Sequence, residues 1–307
     1  MSKFAIIFPG QGSQTVGMLA ELGEQFDVVK ATFAQASEAL GYDLWALVQN
    51  GPAEDLNQTS RTQPALLAAS VAIWRVWQEQ GLKQPVNLAG HSLGEYSALV
   101  CAGVIDFQQA IKLVELRGQF MQEAVPAGVG AMYAIIGLDD ESIAKACEEA
   151  AQDEIVSPVN FNSPGQVVIA GNKAAVERAG VLCKAAGAKR ALPLPVSVPS
   201  HCALMQPAAD RLEIALQDIE FNTPVIPVIN NVDVIAETDP EKIKNALVRQ
   251  LHSPVRWTEG VQQMSDDGVE KLYELGPSKV LTGLTKRIVK TLTAAAVNDC
   301  ASLEAAK

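Results

Sequence analysis

The chain has 307 residues, 48% of them hydrophobic and 19% charged, and carries a formal net charge of −11. That balance allows a large apolar core and argues against general nucleic-acid binding, because a chain of this sign does not neutralise phosphates. Five cysteines without C-x-x-C spacing and three dispersed histidines point to reduced thiols, with neither a disulfide framework nor a zinc site expected.

The first apolar run, residues 4–8, is followed by Pro9-Gly10. It is too short for a signal-peptide core and reads as a strand. Residues 63–80 read as a largely apolar helix, 86–90 as a short strand, 94–102 as a helix and 106–124 as an amphipathic helix. The next stretch has its own order: strand 130–137, helix from Asp139-Asp140 to 150, strand 155–160, a turn at Ser163-Pro164-Gly165, strand 166–170, helix 173–186 and strand 190–196. That β-α-β-β-α-β series is the ferredoxin-like order. Beyond it come a helix from about residue 203, a strand 225–229, helices 241–251 and 257–267, a strand 269–275 and a helix 279–290. The tail after Asn298 is small and polar and is expected to fray.

The fold class that follows is α/β. A large domain with a parallel sheet comprises residues 1–126 and 198–307, and a ferredoxin-like domain, residues 127–197, is inserted into it. The longest uncharged run, residues 191–209, contains four prolines and cannot be a membrane span. A soluble, cytoplasmic protein that uses neither membrane nor nucleic acid is expected.

Two loops carry chemistry. Gly90-His91-Ser92-Leu93-Gly94 stands between a strand and a helix, the context in which G-x-S-x-G forms a nucleophile elbow. Its alternative is a tight βα turn with an incidental serine. A nucleophilic serine needs a base, and the candidates are His201, in Val198-Pro199-Ser200-His201, then His252 and His91. His201 ranks first, because a prolyl loop returning from an insertion is a plausible cleft wall; a capped surface histidine is its alternative. The other loop, Pro9-Gly10-Gln11-Gly12-Ser13-Gln14, fails as a dinucleotide fingerprint, since Thr15 holds the third glycine position. It still places backbone N–H groups at the carboxyl edge of the sheet, where the elbow also lies. Arg117 falls among Leu113, Val114, Phe120 and Met121 on the apolar stripe of its helix and therefore needs an anion. An internal ion pair is the more ordinary answer; a clamp for a substrate carboxylate is the functional one.

Taken in order, Pro9-Gly10-Gln11-Gly12-Ser13-Gln14, Gly90-His91-Ser92-Leu93-Gly94-Glu95, Leu116-Arg117-Gly118, Asn160-Phe161-Asn162-Ser163-Pro164-Gly165-Gln166 and Pro199-Ser200-His201 closely resemble the malonyl-CoA:acyl carrier protein transacylases of bacterial type II fatty acid synthesis. The resemblance runs from Phe4 to about Ile288. It implies an α/β-hydrolase-like large domain with the active site between it and the small domain. It implies Ser92 as nucleophile, His201 as general base, and the amides of Gln11 and Leu93 as oxyanion hole. Arg117 would bind the malonyl carboxylate, Gln63 and Asn162 would line the pocket, and a backbone carbonyl near Gln250 would orient His201. Acyl carrier protein would be the partner, malonyl-CoA the substrate, no metal or redox cofactor would be needed, and the chain would be a monomer. An acidic carrier protein would need a local basic patch, for which Lys184, Lys189, Arg190, Lys286, Arg287 and Lys290 are candidates. A serine thioesterase or esterase shares the elbow and the histidine but has no need of Arg117. A non-catalytic acyl-binding protein has no need of Ser92 or His201.

Overall fold

The computed structural model describes residues 3–196 and 198–307; Met1 and Ser197, at ends of the expected domain segments, lie outside it. Among the described residues nine strands form two sheets. The first is entirely parallel and contains β1 (Lys3–Phe8), β2 (Leu88–Gly90), β7 (Val228–Ile229), β8 (Val269–Leu275) and β9 (Thr293–Val297), in the order β7-β2-β1-β8-β9. The second is antiparallel and contains β3 (Gly130–Ile136), β4 (Val156–Ser163), β5 (Gln166–Asn172) and β6 (Arg190–Pro193), in the order β4-β5-β3-β6.

The apolar run of β1 follows from burial on both faces. Ile6 and Phe8 enter the main core with Leu88, Tyr273 and Leu275. Ala5 and Ile7 point the other way, to Ala89, Ile229 and Leu272. A strand covered on both faces cannot alternate with polar residues, and each large side chain buried there contributes roughly 1.5–3 kcal/mol. The second sheet is covered differently. Ile135, Val167 and Ile169 meet the helices Asp140–Ala151 and Lys173–Ala185, whereas Met132, Val168 and Ala170 face a separate cluster with Cys202. Strand and helix order within residues 130–193 is the ferredoxin-like one, with β3 and β5 central.

The chain end departs from expectation. Residues 293–297 add an edge strand to β8, and Cys300–Glu304 forms a short helix with a capping box between Asp299 and Ser302. Val297 and Leu303 are buried, which ties the segment down. The run Thr-Ala-Ala-Ala-Val lacks bulky alternation, so its strand character comes from pairing and not from its own pattern. The expected strand at 225–229 shrinks to two residues, since Pro224 and Pro227 cannot donate to a ladder. Of the helices between Ala20 and Leu56, unassigned above, Asp27–Leu40 and Ala53–Leu56 pack on the long helix Thr59–Glu79, and Ala20–Gln25 and Leu44–Asn50 pack on Asp27–Leu40.

The helix Leu93–Cys101 starts where β2 ends, against the end of β1: His91 N–H donates to the Phe8 carbonyl at 3.0 Å. Position 94 admits no side chain, because a Cβ there would stand 2.1 Å from that same carbonyl oxygen. Gly94→Ala is therefore expected to push this helix start off the sheet, lowering stability by about 1–3 kcal/mol. Thermal unfolding beside the wild type checks this, and an unchanged Tm would contradict it.

Candidate active site

Ser92 stands at the helix start with φ 52° and ψ −111°, a conformation that residues with side chains rarely adopt. The turn aims its hydroxyl away from the helix. Ser-x-x-Glu before an apolar run has the form of a capping box, yet neither half forms here. Ser92 Oγ instead lies 2.8 Å from His201 Nε2, and Glu95 turns toward Gln250 and Asn231. Asn231 secures the elbow by accepting from Ser92 N–H at 2.7 Å and donating to the Gly90 carbonyl at 2.7 Å.

His201 also has a positive φ, 68°. Its Nδ1 meets the main-chain carbonyl of Gln250 at 2.7 Å, at the end of the helix Pro240–Gln250. That carbonyl demands a proton on Nδ1, so the neutral ring presents Nε2 as an acceptor to the Ser92 hydroxyl. Burial first, then the charge of Arg117, push His201 down to about 3. It is unprotonated at neutral pH, as a general base must be.

Arg117 is 1% exposed. Its helix Phe107–Ala124 approaches the start of Thr59–Glu79 closely, since a Cβ on Gly118 would lie 2.6 Å from Ser60 Cα. Arg117 Nη1 donates to Gln63 Oε1 at 2.8 Å and Nη2 to Gln250 Oε1 at 2.9 Å, and Nη2 stands 3.4 Å from Ser92 Oγ. The Tyr96 ring lies 5.3 Å away. No carboxylate pairs with it among the described residues, and its Nε has no partner. The ordinary alternative, an internal ion pair, is absent here.

A cleft of about 460 Å³ opens above Ser92. One wall comes from the segments that follow β1 and β2, with Gln11, Ser92 and Leu93, and from the helix Phe107–Ala124, with Arg117; the other comes from the second sheet, with Met132, Asn160 and Asn162. Asn162 Oδ1 lies 2.8 Å from His91 Nε2, and His91 is thereby engaged. His252 is not in the cleft wall. Of the consecutive amides at the elbow, Ser92, Gly94 and Glu95 donate within the chain, which leaves Leu93, the first residue of its helix, free. Gln11 lies on the same wall as the elbow, its side chain donating to Thr59 Oγ1 at 3.4 Å. Gln63 differs from expectation: it lies behind Arg117 and not in the cleft wall, because its amide oxygen is taken up by the guanidinium and its nitrogen by Met121 Sδ. The Gln250 side chain and the buried Glu95 and Asn231 also belong to this network.

The family model of the acyl transferase domain matches residues 5–305. The malonyl CoA-acyl carrier protein transacylase of Escherichia coli K12 is 70% identical over 306 residues, covering 100% of this chain and 99% of that one. The Bacillus subtilis protein of the same name is 45% identical, covering 100% and 96%. Among solved structures, an acyl carrier protein S-malonyltransferase from Vibrio cholerae is 81% identical with TM-score 0.98, covering all of both chains. A malonyl-transacylase in complex with a type II PKS acyl-carrier protein is 72% identical with TM-score 0.99, covering 99% of each.

A depressed His201 has a definite pH signature. Its contribution to stability is present above the ordinary histidine value of 6.5 and is lost as pH falls from there toward 3. Glu95, raised to about 7 chiefly by burial, has the opposite sign between 4.5 and 7, so global stability blends the two. The ring itself separates them. By NMR, His201 is expected to stay neutral from pH 7.5 to 5, and in Arg117→Ala its midpoint should rise. A wild-type midpoint near 6.5 would contradict this.

Proposed function

Since the chain belongs to the acyl transferase family, among the malonyl CoA-acyl carrier protein transacylases, we propose that Ser92, His201 and Arg117 carry its reaction. The enzyme transfers the malonyl group of malonyl-CoA to the phosphopantetheine thiol of acyl carrier protein. In the first half, Ser92 Oγ attacks the thioester carbonyl as its proton passes to His201 Nε2. The Gln250 carbonyl, already on Nδ1, stabilises the imidazolium. The N–H groups of Leu93 and Gln11 receive the oxyanion, and losing one such donor costs about 3 kcal/mol of barrier. The C–S bond then breaks, the CoA thiolate takes the proton from His201, and a malonyl-serine ester remains. In the second half the carrier thiol gives its proton to His201 and attacks the ester carbonyl. The C–O bond breaks and Ser92 recovers its proton. Two half-reactions through one covalent intermediate follow ping-pong kinetics.

The observation that carries this reading is a guanidinium buried 3.4 Å from Ser92 Oγ with no carboxylate of its own. A malonyl group brings that carboxylate; an acetyl group does not. A plain hydrolase would have no use for the charge, and the partner of His201 here is a main-chain carbonyl, whereas hydrolases of this fold use an Asp or Glu. Gln63 serves by holding Arg117, and Asn162 by holding His91 in the cleft wall. The carrier protein docks on the exposed Lys286, Arg287 and Lys290, with the exposed Lys189 and Arg190 at the start of β6 as further candidates. Arg287 reaches Gln166 on the cleft wall at 2.8 Å, which links that patch to the site.

Arg117→Ala is expected to lower malonyl transfer about a hundredfold or more while acetyl transfer holds or rises, as for a lost charge-assisted contact. Steady-state transfer from both acyl-CoA donors checks this. An equal fall for both would reduce the arginine to a structural role.

A further inference from the structure

Glu95 lies beneath the site, 2% exposed, and touches neither Ser92 Oγ nor the cleft. Its Oε2 accepts from Gln250 Nε2 at 2.8 Å and from Asn231 N–H at 2.9 Å. The other end of the same Gln250 amide, Oε1, accepts from Arg117 Nη2 at 2.9 Å. At pH 8, above the value of about 7 to which burial raises Glu95, a carboxylate and a guanidinium thus face each other with one amide between them. Flipping that amide would set its NH2 group against the guanidinium and its oxygen against the carboxylate, two repulsive contacts in a buried place. Glu95, together with the Ser92 carbonyl that also accepts from Gln250 Nε2 at 3.2 Å, therefore permits a single orientation of Gln250. A buried guanidinium is costly without a counter-charge, but a carboxylate set directly on Arg117 would fill the position a substrate carboxylate has to take.

We propose that Glu95 is a specificity-determining positioning residue: it supplies the counter-charge of Arg117 through the Gln250 amide, near enough to keep the guanidinium in place and one residue too far to occupy it. The two directly bonded partners of Arg117, Gln63 and Gln250, are then neutral oxygens that leave its charge for a carboxylate-bearing acyl group. This rests on the reading of Arg117 as the malonyl site.

The test moves the carboxylate. In the double variant Glu95→Gln/Gln250→Glu the negative charge comes into direct contact with Arg117, and the amide placed at 95 can re-form one of the two bonds that Oε2 accepts, the one with position 250 or the one with Asn231 N–H. The readouts are malonyl-CoA kinetics and acylation by p-nitrophenyl acetate, which carries no carboxylate and reports the Ser92–His201 pair. The double variant is expected to lower the malonyl-CoA to p-nitrophenyl acetate specificity ratio about tenfold or more, mainly through KM. The single variant Glu95→Gln keeps an acceptor on Gln250 and removes the remote charge, so its KM for malonyl-CoA should fall, by about threefold. A ratio that moves less than threefold in the double variant, or a parallel loss with both substrates in either variant, overturns the inference. Arg117→Ala separates the levels. If it abolishes malonyl preference while the Glu95 and Gln250 variants do not, only this inference fails. If it too leaves the preference intact, the malonyl reading of Arg117 fails with it.

Discussion

A guanidinium taken out of water beside a serine hydroxyl is the constraint around which the site is arranged. Burying an ion without a paired counter-ion costs several kcal/mol. The fold offsets that cost with the amide oxygens of Gln63 and Gln250, the Tyr96 ring and the indirect charge of Glu95. They come from three helices, Tyr96 and Glu95 sharing one, and each helix must lie close. The glycine at 118 brings the helix of Arg117 against that of Gln63, and the tight passage at Gly94 seats that of Glu95 and Tyr96 on the sheet. On the proposed reading, the burial that makes Arg117 expensive is also what makes it selective, because in a low-dielectric pocket an unpaired charge discriminates strongly between a carboxylate and a methyl group.

The same charge acts on the base. Arg117 and burial together hold His201 far below the ordinary histidine range, so it waits neutral, with Nε2 turned to Ser92 by the carbonyl on Nδ1. Gln250 thus serves twice, its main chain orienting the histidine and its side chain the arginine. The acid usually found behind a catalytic histidine has no place here; the nearby buried carboxylate, Glu95, is spent on Gln250 and Asn231.

Much of this was legible where local pattern and packing agree. The apolar run of β1, the strand–turn–helix around Ser92, the β-α-β-β-α-β series and the charged residue on an apolar helix stripe could be read directly. The pairing of Ser92 with His201, 109 residues apart, could not; the loop ranked His201 first of three histidines, and resemblance to known enzymes set it well above the other two. Glu95 was hidden by its own signature, since Ser-x-x-Glu reads as a helix cap. Asn231 carries no local sign at all, for its work consists of bonds to residues 136 to 141 positions away. The strand at residues 293–297 was missed because small residues acquire strand form only by pairing with β8.

The central claim, covalent transfer through Ser92, is tested most directly by intact-protein mass spectrometry after mixing with malonyl-CoA. The account predicts a gain of one malonyl group on the wild type, none on Ser92→Ala, and loss of that group when a phosphopantetheinylated acyl carrier protein is added and itself becomes malonylated. A gain that persists in Ser92→Ala, or free malonate in place of malonylated carrier protein, would contradict it.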